Sequence, residues 1–513
     1  MWIFFITLSY LLFLFLNIII YTKFYFTVRL SIRSFGQILY TIQNGLSGAE
    51  STVSEVIGDF FVRQWPYLLL GTIVYIALLL IYIKNKRGEI KTKFEPKKFT
   101  KCLNYGIIGI LCITIFLDLY NGFFLCRTLG VGDYLDSLRV DSDLFDNNYV
   151  DARLTNIDFP EKKRNLIYIL SESMEQSYTD ENEGGGFKQT LIPELSKLAK
   201  ENNDFSSKKD HKLNGGFTPG NTTWTTAAIA AQSMGIPLNG GINYSQNFDR
   251  DSKFFPNVFS LGDVLENEGY HNYFMCGSDA AFGGRKNYYE QHGNYKVLDY
   301  YTAQSDGIID EDYFEFWGYE DSKLFQYAKK ELSEIAKNEQ PFNFTMLTVD
   351  THFEDGYICP DCPDKFDTQY ENVINCSDHK IAEFVKWCQS QDFYKNTTIV
   401  IAGDHLSMDG FVADAVPEGF PRKTYFTVIN GPTYELDKTR EYSTLDIFPT
   451  IIESLGAHIE GNRLGLGTSL YSETPTLIES MGYEELSKQM SYNSYYYNAI
   501  LLSGDELRED ANN

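Results

Sequence analysis

The sequence predicts an α/β fold, a mainly parallel sheet flanked by helices, preceded by an all-α transmembrane region. Two observations carry this. Beyond residue 163, short apolar runs of strand length alternate with helical stretches, the pattern of a parallel sheet with helical crossovers. Before residue 127 lie three longer apolar stretches, of the order of the roughly 20 residues needed to cross a bilayer. A chain of 513 residues has room for both. Its formal charge of −25, without a basic stripe outside one short loop, excludes nucleic acid as a partner, because phosphate backbones need clustered Lys and Arg. The 36 Tyr and 38 Phe fit ordinary core and surface positions, and would also suit a domain working near lipid headgroups or on sugars.

In chain order, Trp2–Tyr21 is a nearly uninterrupted apolar run with no basic start and no small-residue cleavage site, so it reads as a retained anchor. Tyr67–Ile83 and Leu103–Leu125 are the second and third spans. Between them, Lys84, Lys86, Arg87, Lys91, Lys93, Lys97, Lys98 and Lys101 crowd a loop expected on the cytoplasmic side. Arg29, Arg33 and Arg63 in the opposite loop weaken that bias slightly. The third span then runs outward, placing everything after Arg127 on the outer face. Asp118, close to the outer end of its span, is expected to reach water. The pattern of Ser34–Gln43 leaves a short interfacial helix undecided. The expected organisation is a membrane region with about three transmembrane helices over 1–126, a juxtamembrane tether over 127–163, an extracytoplasmic catalytic domain over 164–480 and a C-terminal tail over 481–513.

The outer domain opens with Asn165–Leu170, an apolar run of the kind found in fully buried parallel strands. Similar runs follow at Tyr273–Cys276, Phe342–Val349 and Thr397–Ala402, separated by helical stretches such as Asn257–Glu268 and Leu324–Lys337. Ligands of such sheets collect beyond the carboxyl ends of the strands. Each run here delivers polar residues there: Ser171, Glu172 and Ser173; Gly277, Ser278 and Asp279; Asp350, Thr351 and His352; Gly403, Asp404 and His405. Gly220–Leu238, GNTTWTTAAIAAQSMGIPL, places threonine hydroxyls where a helix begins, a position that favours negative charge. A hydroxyl there is also read as a plain helix cap. Glu172, Asp404, His405 and a threonine are hard oxygen and nitrogen ligands suited to one divalent metal. A metal on a threonine oxygen would favour its alkoxide and make it a nucleophile. Attack on a phosphodiester further needs a cation for the phosphate oxygens, for which Arg285 is the candidate, and a proton donor for the departing alcohol, for which His352 is the candidate. His352 could equally stabilise the phosphate or activate the acceptor.

The ordered set LSESMEQSY, NTTWTTAAIAAQSMGIPL, GSDAAFGGR, TVDTHF, IVIAGDH, STLDIFPTIIESLG and RLGLGTSL resembles the lipoteichoic acid synthase and phosphoglycerol transferase family of the alkaline phosphatase and sulfatase superfamily. The resemblance covers about Asn165–Leu470 and implies an alkaline-phosphatase-like sheet. It also implies one divalent metal, most often Mn2+ with Mg2+ or Zn2+ as alternatives, held by Glu172, Thr225, Asp404 and His405. Thr225 is then the nucleophile, chosen over Thr226 by the Trp-Thr dipeptide. Asp279 is assigned to the glycerol hydroxyls, and Asp446 remains structural. The chain departs from the synthases at Phe282–Arg285, FGGR where they resemble FWNR, and at Cys276, where they carry His. FGGR looks closer to the phosphoglycerol transferases that decorate periplasmic glucans or other surface glycans.

Eight cysteines occur. Cys359, Cys362 and Cys376 could suggest zinc, but a structural disulfide on the outer face is the simpler account. The resemblance favours Cys376 bonded to Cys359 or Cys362, leaving open which. The implied activity is a membrane-anchored transferase moving glycerol phosphate from phosphatidylglycerol, through Thr225, to a cell-envelope glycan or polyglycerolphosphate. The alternatives are a phosphoethanolamine transferase and a sulfatase or phosphodiesterase-type hydrolase. The Cys/Ser-x-Pro-x-Arg context in which sulfatases build formylglycine does not occur.

Overall fold

In the computed structural model, residues 1–29, 35–43, 50–91, 95–207, 209, 212–239, 254–434 and 438–504 are described. They divide into two compact units, residues 1–35 with 49–133 and residues 36–48 with 134–513. The first unit holds three long apolar helices, α1 (Trp2–Phe24), α3 (Glu50–Lys86) and α4 (Pro96–Thr128). Each carries a stretch long and apolar enough to cross a membrane. Tyr10 of α1 stacks on Tyr75 of α3 at 4.4 Å and hydrogen-bonds Thr72 at 2.8 Å. Asp118, expected to reach water, is instead buried within this bundle. Arg33 and Lys93 of the charge pattern lie outside the described residues.

The second unit is built on a seven-stranded sheet. Its strands are β1 (Asn165–Ser171), β2 (Gly215–Gly216), β3 (His271–Cys276), β4 (Lys296–Leu298), β5 (Phe342–Leu347), β6 (Thr397–Gly403) and β7 (Thr424–Ile429). Their order is β2-β7-β6-β1-β5-β3-β4. The five strands from β6 to β4 are parallel, and β7 and β2 continue the sheet through antiparallel pairings. All four expected strands are present, and β1, the most continuously apolar, lies at the centre with Leu166, Ile167 and Ile169 fully buried. One face packs on the helix Thr225–Met234 and on Ile447–Ser454, the other on Pro193–Glu201, Asp321–Ile335 and Gln369–Gln389.

Two stretches are more ordered than their composition suggests. The region read as a tether forms helices at Val131–Ser137 and Leu144–Asn148, and Leu144 and Phe145 are buried in the core. The region read as a tail forms a helix at Tyr483–Ser491 and a helical turn at Tyr496–Leu502, with Leu486, Met490, Tyr497 and Leu501 buried. Both bury apolar side chains spaced among polar ones, so polarity alone misreads them. Residues 505–513, the end of the expected tail, lie outside the described residues.

A disulfide joins Cys362 to Cys376. By loop closure a bridge over 14 residues stabilises the fold by about 3 kcal/mol. Cys359 is not in it. Its buried thiol receives a hydrogen bond from Lys380 at 2.7 Å and donates to Asp350 Oδ2 at 3.3 Å.

Candidate active site

Strand register brings the site together. Ser171 of β1 lies opposite Gly403 of β6, so the residues that follow, Glu172 and Asp404, leave the sheet side by side. The Asp404 amide donates to the Ser171 carbonyl at 3.1 Å, and the Glu172 amide to Thr348 Oγ1, just beyond β5, at 2.9 Å. Asp404 Oδ1 accepts from the amides of Ser173 and His405, at 2.7 and 2.8 Å. His405 Nδ1 donates to the Leu406 carbonyl at 2.8 Å, which leaves Nε2 with its lone pair directed away. Nε2 lies 3.6 Å from Glu172 Oε1 and 3.4 Å from Asp404 Oδ2.

The nucleophile candidate comes from α5, which we define as Thr225–Met234. The hydroxyls do sit where this helix begins, but none caps it: the capping position is Trp224, without a side-chain hydrogen bond. Two of the neighbouring hydroxyls have other partners. Thr222 Oγ1 donates to the Pro219 carbonyl at 2.6 Å and Thr226 Oγ1 to the Gly283 carbonyl at 3.0 Å. Thr225 Oγ1 makes only long contacts, 3.4 Å to Glu172 Oε2 and 3.5 Å to His405 Nε2. Gln232, one face of the helix further on, fixes α5 to the sheet by donating to the carbonyls of Gly403 and Asp404, both at 3.0 Å.

The electrostatics of this cluster call for a cation. Glu172 and Asp404 are 2 % and 0 % exposed. Burial, reinforced by the neighbouring Glu172 carboxylate, pushes Asp404 up to about 7. Burial also works against ionising Glu172, but His405 and His352 outweigh it and hold that carboxyl below its ordinary range. His405 is held above its usual value, since Asp404 and Glu172 outweigh the effect of burial. Asp404 Oδ2 is buried without a hydrogen-bond partner, and the ligand atoms of Glu172, Asp404 and His405 lie within 4.8 Å of one another. An orphaned carboxylate oxygen in a converging oxygen and nitrogen set fits a divalent metal, with Thr225 Oγ1 as a further ligand.

His352 sits half-buried beside this cluster, its charge felt at Glu172. Burial lowers its pKa, and Nδ1 donates to the Phe353 carbonyl at 2.7 Å. Arg285, the candidate cation for the phosphate oxygens, spends most of its donors on its own loop. Nε donates to the Phe282 carbonyl at 3.0 Å, and Nη2 to Ser278 Oγ at 3.1 Å and the Asp279 carbonyl at 2.8 Å. The fork is thus committed to its own loop, which the two glycines bend tightly, and only Nη1 remains for a phosphate oxygen. Asp279 Oδ1 accepts from the Ala281 amide at 2.8 Å, so one of its oxygens shapes the same loop. Cys276, at the position of the synthases' His, is buried below the loop, and burial pushes its thiol up to about 11. Asp446 is structural, capping the Ser443 turn and accepting from the Thr468 amide at 2.8 Å.

Sequence reading missed three contributors. Trp317 packs its ring 4.7 Å from His352 and 5.5 Å from Phe282. In the stretch left undecided from sequence, Ser34 lies outside the described residues, and helix α2 (Phe35–Gln43) belongs to the second unit from Gly36 on. Its Tyr40 donates to the Gly283 carbonyl at 2.9 Å and packs 5.8 Å from Trp224, while Gln37 donates to Met408 Sδ at 3.4 Å. Gln232 is the third. Each lies far in sequence from the residues it touches, so no local spacing announces it.

Comparison with known proteins adds the following. Phosphoglycerol transferase I of Escherichia fergusonii is 30% identical over 479 residues, covering 92% of this chain and 57% of the relative. That of Citrobacter koseri is 30% identical over 472 residues, covering 90% and 55%. The chain therefore spans little more than half the length of these relatives. Among solved structures, the lipoteichoic acid synthase LtaP of Listeria monocytogenes is 20% identical with a TM-score of 0.45, over 64% of this chain and 81% of that one. The sulfatase family profile matches residues 164–457, from the start of β1 past the last of the cluster's residues. With more than half of its length inside that match, the chain belongs to the sulfatase family.

Proposed function

We propose that the protein is a membrane-anchored phosphoglycerol transferase, taking glycerol phosphate from phosphatidylglycerol onto Thr225 and passing it to a cell-envelope glycan or polyglycerolphosphate. The observation that carries this reading is the Thr225 hydroxyl, loosely held at a helix start while those of Thr222 and Thr226 are engaged, facing Glu172, Asp404 and His405. The relatives named phosphoglycerol transferase I support the choice of group.

A divalent cation, most often Mn2+, held by Glu172, Asp404, His405 and Thr225 would favour ionisation of the Thr225 hydroxyl and offset phosphate charge. The chain's own residues do the rest. Thr225 Oγ1 attacks phosphorus as the bond to the diacylglycerol oxygen breaks. Arg285 Nη1 and the free amides at the start of α5 meet the negative charge on the phosphoryl oxygens. His352 Nε2 relays the proton leaving Thr225 to the departing diacylglycerol oxygen, and in the second displacement relays the acceptor hydroxyl's proton back to the Thr225 oxygen. Asp279 accepts from the glycerol hydroxyls. A hydrolase of the formylglycine type is disfavoured, since Thr225 lies in no Cys/Ser-x-Pro-x-Arg context.

The test incubates the purified full chain with Mn2+ and headgroup-labelled phosphatidylglycerol, then with candidate acceptors. Diacylglycerol release with label on an acceptor, lost on chelation, is the expected result. Cleavage of phosphatidylethanolamine in preference, or label ending only on water, would replace the reading with one of its two alternatives.

A further inference from the structure

Just before His352 in the chain, Asp350 belongs to a buried cluster that the chemistry above leaves unused. Lys380, on the helix Gln369–Gln389, places its Nζ 2.8 Å from Asp350 Oδ2 and 2.7 Å from Cys359 Sγ. The sulfur lies 3.3 Å from the same carboxylate oxygen. Asp350 is 2% and Cys359 3% exposed. The ion pair accounts for Lys380 and Asp350, whose Oδ1 also accepts from the Asp321 amide at 3.0 Å. It does not account for the thiol. An N–H···O bond holds its heavy atoms about 2.9 Å apart and sulfur is larger than oxygen, so this amine and thiol are closer than an ordinary hydrogen bond brings them. Cys276 and Cys388, the other buried thiols among the described residues, have no amine hydrogen-bonded to them.

Oxidant reaches this loop. The Cys362 amide closes a turn onto the Cys359 carbonyl at 3.0 Å, and Cys362 is itself oxidised to the disulfide with Cys376. Pro360 and Asp361, next to Cys359, are exposed. Burial and the Asp350 charge push the Cys359 thiol up to about 11 against the pull of Lys380, so its oxidation is slow.

We propose that Cys359 and Lys380 form a modification site, joined by peroxide through an S–O–N bridge. Their separation leaves room for one bridging oxygen, whereas a direct S–N bond would have to draw the loop and the helix together. A first hydrogen peroxide gives one oxygen to sulfur as its O–O bond breaks, and the thiol becomes a sulfenic acid with release of water. Asp350 Oδ2 takes the extra proton of the Lys380 ammonium and frees the nitrogen lone pair. A second peroxide accepts two electrons and two protons as one N–H and the sulfenic O–H bond break and the N–O bond forms, and it leaves as two waters. In sum the thiol and amine lose two hydrogens and gain one oxygen, a four-electron oxidation matched by two peroxides. The amine loses its charge as Asp350 gains a proton, so no charge between them is left unpaired. The bridge does not depend on which group the enzyme transfers.

The experiment exposes the full chain in detergent to excess hydrogen peroxide, digests it without reductant and weighs the peptides by mass spectrometry. The expected product is a pair of peptides joined through Cys359 and Lys380, heavier than their sum by one oxygen less two hydrogens and returned to free thiol and amine by dithiothreitol. Cys359→Ser and Lys380→Arg should each lack it while still melting cooperatively. Wild type unfolded in urea before peroxide is added should give it at least tenfold less, which separates the folded geometry from chance reaction. Sulfinic or sulfonic acid on Cys359 with Lys380 unmodified, a joined pair without the added oxygen, a disulfide from Cys359 to Cys362 or Cys376, an unreacted thiol or an equal yield in urea would overturn the proposal.

Discussion

A single hydroxyl separates the chemistry proposed here from ordinary helix packing. Thr225 has no short hydrogen bond to lose, so Thr225→Ala is expected to change stability by no more than about 0.5 kcal/mol. Transfer should nevertheless fall on the order of 10³-fold or more, because the group that bonds to phosphorus is gone. Lipid cleavage assays with a parallel thermal melt check both halves. The carboxylates and His405 were legible in the sequence because each directly follows a strand, where a sheet of this kind presents ligands. The choice of Thr225 among four nearby threonines came from the family resemblance, since spacing alone does not show which hydroxyls find carbonyl partners in the fold. The same holds for Arg285: its identity as a cation near the site could be read, but not that Ser278 and the Phe282 and Asp279 carbonyls would occupy most of its donors.

At the scale of elements, the tight loop between β3 and the following helix is the piece least tolerant of change. Gly283 has φ +65, and a Cβ there would lie 2.6 Å from Thr226 Oγ1. Gly283→Ala should disturb the carbonyl that both Thr226 and Tyr40 donate to. Gly269 also has a positive φ, +82, but with open space around it. Both alanine variants are expected to lose about 1 kcal/mol of stability from the backbone alone, and only Gly283→Ala to lose activity, about tenfold or more. A second element-level expectation concerns the helix Pro193–Glu201. Its first turn donates to the buried Asp378 carboxyl from the Leu195 and Glu194 amides, at 2.7 and 3.1 Å. Burial pushes Asp378 up to about 7, above its unfolded value near 4. The folded form therefore holds a proton that the unfolded chain releases, so this group's stabilisation is complete below about pH 4 and is lost as pH rises through 7. Asp378→Asn should flatten the fall in melting temperature between pH 5 and 8; an unchanged slope would count against it. The parallel strands could be read from their continuous apolar runs. The antiparallel edge could not: Thr424–Ile429 owes its direction to pairing with β6, and Gly215–Gly216 is too short to show any period.

For the whole molecule, the proposed arrangement puts the Lys84–Lys101 loop inside and the catalytic unit outside. Cys102 and Cys126, both exposed, lie near opposite ends of α4. A membrane-impermeant maleimide applied to intact cells should label Cys126 at least ten times more than Cys102, and the reverse ratio would invert the topology. The three apolar helices were evident from composition, whereas the contributions of residues 134–163 and 483–502 to the folded unit were not, because their buried residues are scattered among polar ones. The account as a whole depends on a covalent phosphoryl-threonine intermediate. Peptide mass spectrometry of the full chain, quenched during turnover of phosphatidylglycerol, tests it most directly. It should find one glycerolphosphoryl group on Thr225, absent from Thr225→Ala. Diacylglycerol release from phosphatidylglycerol without that adduct, or with the adduct on another residue, would contradict it.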